Sequence, residues 1–234
     1  MNNISIIIPV YNEAGNIPSL YNEIVSTLYH FIEYEIIFVD DASTDGSKEL
    51  LNQLHKQKLI KLITHKKKLG QSQSILTGVK QAKFDTIVTL DGDGQNNPSD
   101  ILKLLKVYLS NNNFLLVGGI RVKRMDNIIK IISSKIANKI RSFVLKDDCL
   151  DTGCSLKVFS KKIFLHFPFF DGIHRFLPAL YKGYGYKTCF IPVDHRLRIH
   201  GKSNYGIRDR LFKGIYDLIR VKKIINIKKK ENND

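Results

Sequence analysis

No stretch of this chain approaches the roughly 18 consecutive apolar residues that a membrane-crossing helix needs, so no transmembrane helix is expected within it. The N-terminus, Met1-Asn2-Asn3 followed by Ile4 to Val10, lacks a basic leader and a small-residue cleavage site, and its apolar run breaks at Pro9. It does not read as a signal peptide. Cysteine is scarce: Cys149, Cys154 and Cys189 are odd in number and lack metal-ligand spacing, which argues against a disulfide framework or a zinc site and fits buried thiols in a reducing compartment. Neither Gly-x-Gly-x-x-Gly nor Gly-x-x-x-x-Gly-Lys-Ser/Thr occurs, so a standard dinucleotide fingerprint and a P-loop are both excluded. Acids are also in deficit, 22 against 37 basic residues, and the formal charge of +15 favours polyanionic partners: nucleic acid, nucleotide phosphates or an anionic membrane surface. A length of 234 residues suffices for one full core.

What the chain does have is acids placed where strands stop. Thr86-Ile87-Val88-Thr89-Leu90 is a strand-like run that ends in Asp91-Gly92-Asp93-Gly94-Gln95. Alternate residues of a strand share a face, so Asp91 and Asp93 point the same way. Two carboxylates with the Gln95 amide carbonyl are hard oxygen donors suited to Mg²⁺ or Mn²⁺. A plain Asp-Gly turn is the competing reading of the same residues. The pattern repeats upstream. Ile4 to Val10 leads to Tyr11-Asn12-Glu13, and Glu35 to Val39 leads to Asp40-Asp41. Ile60 to Thr64 leads through Lys66-Lys67-Lys68-Leu69 to Gly70. Helical patterns follow each. Strands alternating with helices predict βαβ units, an α/β fold with a mainly parallel central sheet and flanking helices. Right-handed crossovers then bring Tyr11, Glu13, Asp40, Asp41, Gly70, Asp91 and Asp93 to one crevice, read as a nucleotide site.

Three segments in order, Ile6-Ile7-Ile8-Pro9-Val10-Tyr11-Asn12-Glu13, Val39-Asp40-Asp41-Ala42-Ser43-Thr44-Asp45-Gly46-Ser47 and Leu90-Asp91-Gly92-Asp93-Gly94-Gln95-Asn96-Asn97-Pro98, resemble the inverting family 2 glycosyltransferases. More narrowly they are similar to the dolichyl-phosphate mannosyltransferase and polyprenyl-phosphate glycosyltransferase branch. The resemblance implies a GT-A fold binding a UDP- or GDP-sugar, with Pro9, Tyr11, Glu13 and Asp41 around base and ribose. It implies that Asp91, Asp93 and Gln95 surround the metal and diphosphate. Ser47 departs from the Thr usual there. Beyond Pro98, Arg121, Lys130, Ser134, Lys135 and Asn138 fall where that branch holds the acceptor phosphate, with Lys130 where Arg is usual, which gives up bidentate geometry. Asp151-Thr152-Gly153-Cys154-Ser155 resembles the loop facing sugar and acceptor. Arg198, Gly201 and Ser203 resemble the loop that closes over the diphosphate.

Helical spacing over 128–145 with Lys130, Lys135, Lys139 and Arg141 interspersed, and over 211–227 ahead of Lys228-Lys229-Lys230, fits either packing helices or helices lying on an anionic membrane. The expected organisation is a domain over 1–210 with an amphipathic helix and basic tail over 211–234. The expected setting is the cytoplasmic membrane face, met peripherally. The activity implied is inverting transfer of a hexose to a polyprenyl phosphate, with Asp93, Asp151 and Arg198 as catalytic candidates. Arg198 would act on the leaving diphosphate. A phosphate acceptor is already anionic and needs no base; a saccharide or glycolipid hydroxyl, the alternative acceptor, would need one, and Asp151 is the candidate. A nucleic-acid-binding role is disfavoured, because no recognition motif occurs and acids cluster where phosphate would have to sit.

Overall fold

The computed structural model describes residues 3–29, 33–110, 115–122, 128–200 and 207–231. Its centre is a sheet in the order β3-β2-β1-β4-β6-β5-β7. The strands are β1 (Ile4–Val10), β2 (Tyr34–Asp40), β3 (Lys61–Thr64), β4 (Thr86–Thr89), β5 (Leu115–Arg121), β6 (Lys157–Ser160) and β7 (Lys187–Val193). Strand β1 pairs in parallel with β2 and β4, and β5 with β7, whereas β6 runs against both β4 and β5. The sheet is thus mainly parallel, and every strand except β6 ends on one edge.

The helices are α1 (Ile17–Leu28), α2 (Ser47–Lys56), α3 (Gln71–Gln81), α4 (Asp100–Leu109), α5 (Ile128–Leu145), α6 (Lys161–His166), α7 (Ile173–Gly183) and α8 (Ile207–Glu231). They cover both faces, which is why β1 is apolar on both sides. Ile4, Ile6, Ile8 and Val10 pack into one core layer with Leu20 and Ile24 of α1 and Leu104 of α4, while Ile7 packs into the other with Ile75 and Val79 of α3. Gly78 lets α3 lie directly on the sheet, since a Cβ there would come within 2.5 Å of Ile7 Cγ2.

Strand β6 and helix α6 are not foreshadowed by the sequence patterns. Four residues opening on a lysine carry little strand signal, yet Lys157 is buried because its ammonium donates to the Cys154 carbonyl. The expected boundary at 210/211 falls inside α8, whose Val221 and Ile225 are buried against α7. Arg141, read as one of the cations flanking the α5 pattern, is buried and clamps Asp147, the Cys149 carbonyl and Asn138.

Candidate active site

The strand-end loops are locked to one another before any ligand is considered. Asp41 accepts from Leu69 N at 2.8 Å, Gly70 N at 2.7 Å and His65 Nδ1 at 2.8 Å, so its carboxylate organises the turn into α3. Gly70 has φ +91°, a conformation that favours glycine. The loops after β1 and β2 zip together: Asn12 N donates to Ser43 Oγ at 3.0 Å and Thr44 N to Asn12 Oδ1 at 2.7 Å. Asn12 and Ala42 both have positive φ, at 58° and 62°. For a residue such as alanine that conformation costs about 1–2 kcal/mol, a strain that recurs at ligand-binding loops. Asp40 Oδ1 accepts from Ser43 N, while its Oδ2 is buried and unpaired among the described residues. Beside it a cavity of about 330 Å³ is lined by Asp40, Ser43, Lys48, His65 and Lys66. Tyr11 stands at the end of β1 with the Lys68 ammonium 3.5 Å above its ring. Pro9 pairs with Val39 in the β1–β2 ladder.

At the end of β4 the acids close in. Gly92 passes so near β1 that a Cβ would lie 3.0 Å from Val10 Cγ2 and 3.1 Å from Pro9 O, a tight approach that glycine relieves between Asp91 and Asp93. Asp93 Oδ1 accepts from Gln95 N at 3.1 Å, and its Oδ2 accepts from Arg198 at 2.9 Å. The same guanidinium nitrogen reaches Glu13 Oε1 at 3.0 Å, and Glu13 Oε2 accepts from Asn16 Nδ2 at 2.7 Å. Burial pushes the Glu13 carboxyl up to about 6, against the lowering effect of Arg198 and Asn16 and with the charges of Asp93 and Asp91 adding to it. Asp91 is also raised to about 6, by burial and then by the charge of Asp93. The site therefore gathers three acids, two of which, Glu13 and Asp93, are bridged by a single inserted guanidinium, while the charge of Asp91 acts on both. Asp91 and Asp93 fit a divalent cation: both are hard oxygen donors, and their mutual repulsion is what such an ion would relieve. Among the described residues no group of three or more His, Cys, Asp or Glu comes together as a metal site.

The strap after β7 lies across this crevice. Arg196 N donates to Gln95 O at 2.9 Å, and Gln95 Nε2 to Arg196 O at 3.2 Å. The Gln95 amide is thereby engaged by the strap. Arg196 also pairs with Glu23 at 2.6 Å, and His200 packs over Gly15, where a Cβ would lie 2.7 Å from the ring. Gly201 and Ser203, expected to continue this loop, lie outside the described residues.

On the other side of β4, Arg121 and Asp151 form a bidentate pair, with Nε–Oδ2 at 2.7 Å and an Nη–Oδ1 contact at 2.8 Å, and Arg121 N adds a contact at 3.2 Å. Gly153 makes room for this fork, since a Cβ there would meet the Arg121 guanidinium at 2.8 Å. Arg121, expected at the acceptor phosphate, and Asp151, expected to face sugar and acceptor, are thus engaged with each other. Asn138 accepts from both Arg141 and Thr152, each at 3.0 Å, and Ser155 donates to Asn96 at 2.6 Å, which ties the 147–157 loop to the end of β4. Lys130 and Ser134 fall on α5 where side chains lie outside the described residues. The sequence reading missed Gln71, His65 and Asn96. Each lies beside a residue it had singled out, but polar neighbours of a motif carry no periodicity signal.

The family description "Glycosyl transferase family 2" matches residues 5–167. The undecaprenyl-phosphate 4-deoxy-4-formamido-L-arabinose transferase of Aeromonas hydrophila is 31% identical over 220 residues, covering 92% of this chain and 66% of that protein. Its Yersinia pestis counterpart is 32% identical over 219 residues with the same coverage. The chain thus spans just under two thirds of the length of these relatives. Glucosyl-3-phosphoglycerate synthase from Mycobacterium tuberculosis in complex with Mg²⁺ and UDP shares the fold at a TM-score of 0.69, with 14% identity, over 94% of this chain and 78% of that one. The same enzyme with Mn²⁺, UDP and glucosyl-3-phosphoglycerate gives 0.67. With a GT-A fold, acids at the ends of β1, β2 and β4, and a family match over most of its length, this chain belongs to glycosyl transferase family 2.

Proposed function

We propose that the protein transfers a sugar from a nucleoside-diphosphate donor to a polyprenyl phosphate, with inversion at the anomeric carbon. The observation that carries this reading is the gathering of Asp91 and Asp93 beside Glu13, with Arg198 bridging Glu13 and Asp93, on the edge where Asp41 organises the adjoining loop. The named relatives, which are undecaprenyl-phosphate sugar transferases, support the acceptor. A Mg²⁺ or Mn²⁺ ion between Asp91 and Asp93 would neutralise charge on the leaving diphosphate. Pro9, Tyr11, Glu13, Asp40 and Asp41 would hold base and ribose. Arg198 would turn from its two carboxylates to the diphosphate. Gln95 would anchor the strap that carries it.

The paired state of Asp151 favours a phosphate acceptor over a sugar hydroxyl. Its two oxygens already take three N–H contacts from Arg121, so no separate base stands ready at that place. A phosphate monoester needs none. Lys130 and Ser134 on α5 would receive the acceptor phosphate, as the resemblance implies, while Arg121 holds the 151–155 loop in register.

The proposed approach to lipid is the face of α5 and α8. Ile136, Ile140 and Phe143 recur at helical spacing on α5 and are exposed, Phe143 by 85%; Ile215, Tyr216 and Ile219 are exposed on α8, which packs against α5. Lys139, Lys146, Lys222 and Lys223 are exposed on the same helices or at their ends. An apolar stripe with cations around it suits an anionic membrane surface. No helix among the described residues is long and apolar enough to cross a membrane. Phe143→Ser with Ile140→Ser is expected to cut flotation with phosphatidylglycerol vesicles by roughly tenfold, with little change in Tm because both side chains are exposed. Unchanged flotation would remove this face from the proposal.

The test of the reaction is transfer of radiolabel from a panel of UDP- and GDP-sugars into organic-extractable undecaprenyl or dolichyl phosphate, with Mg²⁺ or Mn²⁺. Label in the lipid phase that depends on the ion is the expected result. Donor hydrolysis without lipid labelling would shift the acceptor to a saccharide or glycolipid, and absence of donor binding would overturn both.

A further inference from the structure

Asp91 is held from outside its own strand. Gln71, the first residue of α3, donates from Nε2 to Asp91 Oδ1 at 2.7 Å. Its position is set by its neighbours on both sides. Gly70 N is bound to Asp41, and Ser74 Oγ donates to Gly70 O at 3.1 Å. Ser72, fully buried, accepts from Gly172 N at 2.7 Å and lies 2.7 Å from His174 Nδ1. The Gln71 side chain therefore leaves a turn pinned at both ends. The Ser155 hydroxyl donates to Asn96 Oδ1 at 2.6 Å and also lies within hydrogen-bonding reach of Asp91, whose charged form it favours together with the charges of Lys157 and Arg121.

The chemistry of the donor matters as much as its place. A lysine here would orient Asp91 but also neutralise it, competing with a cation for the same charge. A carboxamide orients without neutralising. We propose that Gln71 is a positioning residue for the metal site: its amide commits one oxygen of Asp91 and presents the other, still charged, to a divalent ion shared with Asp93. Through the turn at Gly70 it also ties that ion's ligand to Asp41. The inference rests on reading Asp91 and Asp93 as the ion's ligands.

The test is Mn²⁺ binding to the full chain without donor, followed by the electron paramagnetic resonance of free Mn²⁺, beside thermal melts. Groups that hydrogen-bond a metal ligand typically contribute about 10–100-fold to affinity. Gln71→Ala is expected to weaken Mn²⁺ binding by about that range with Tm nearly unchanged. Gln71→Lys is expected to weaken it at least as much with Tm equal to or above that of the unsubstituted protein, because the lysine pairs with Asp91. Losing affinity while stability stays or rises is an outcome that a merely structural role does not produce. Unchanged Mn²⁺ binding in Gln71→Ala, or losses that follow a falling Tm in both variants, would overturn the role of Gln71 alone. If the unsubstituted protein and Asp93→Asn both failed to bind Mn²⁺, the reading of the two aspartates as ligands would fall as well.

Discussion

Asp93→Asn is expected to lower sugar transfer by roughly 1,000-fold or more, since charge neutralisation at a leaving diphosphate supplies several kcal/mol and each 1.36 kcal/mol is tenfold in rate. Asparagine keeps the shape and can still accept from Gln95 N. It removes the charge that an ion needs and one of the two carboxylates that hold Arg198. Stability should move the other way. Asp91 and Glu13 are both raised to about 6, each in part by the charge of Asp93. An acid whose folded pKa is raised binds more protons folded than unfolded, so its contribution weakens the fold as pH rises from its ordinary value to about 6 and stays unfavourable above. Neutralising Asp93 relieves part of that strain. Melts of the metal-free protein should show Asp93→Asn above the unsubstituted protein at pH 7, with the gain fading toward pH 4. Activity that survives the substitution, or a fall in Tm that accounts for its loss, would count against Asp93 as an ion ligand.

Asp151→Ala is the substitution expected to damage the fold most. The Arg121–Asp151 pair is largely buried, with side-chain exposures of 13% and 6%, and its geometry is bidentate. Removing one partner of such a pair leaves an uncompensated charge and typically costs about 3–5 kcal/mol. At about 2–4 °C per kcal/mol for a chain of this size, Tm should drop by roughly 10 °C. Combining it with Arg121→Met should recover much of the loss, because replacing a whole buried pair by apolar groups is often neutral. Asp151→Asn separates structure from chemistry. If it abolished transfer while Tm held, Asp151 would be acting on a proton, and a hydroxyl acceptor would replace the phosphate.

Much of the fold is legible in the chain. β1, β2, β4 and β7 are β-branched runs bounded by polar loops, and α5 spans the same residues that the helical spacing marks. The acids at strand ends are legible for a related reason. A parallel strand needs an apolar interior, so a carboxylate directly after such a run stands out. What stays hidden is whatever depends on partners far along the chain. Strand β6 is too short and too polar at its start to show a period, and it exists because the 147–157 loop is tied to β4 by Ser155, Asn96 and Thr89. Arg141 looks like a surface cation on a helix until Asp147 and the Cys149 carbonyl are seen to receive it.

The same division holds within the site. Residue type and local spacing determined that hard oxygen donors end β4 and that β1 and β2 deliver further acids to the same edge. Both follow from strand periodicity and crossover handedness, which act over a few residues or one βαβ unit. Only the tertiary structure decided which charges are spoken for: that Asp151 is bound by Arg121, that Asp41 shapes a backbone turn, that Arg198 lies between Glu13 and Asp93, and that Gln71 reaches Asp91. The partners of the two arginines lie 30 to 185 residues away. A charged side chain's state depends on what lies within a few ångströms, and packing, not sequence order, sets that distance.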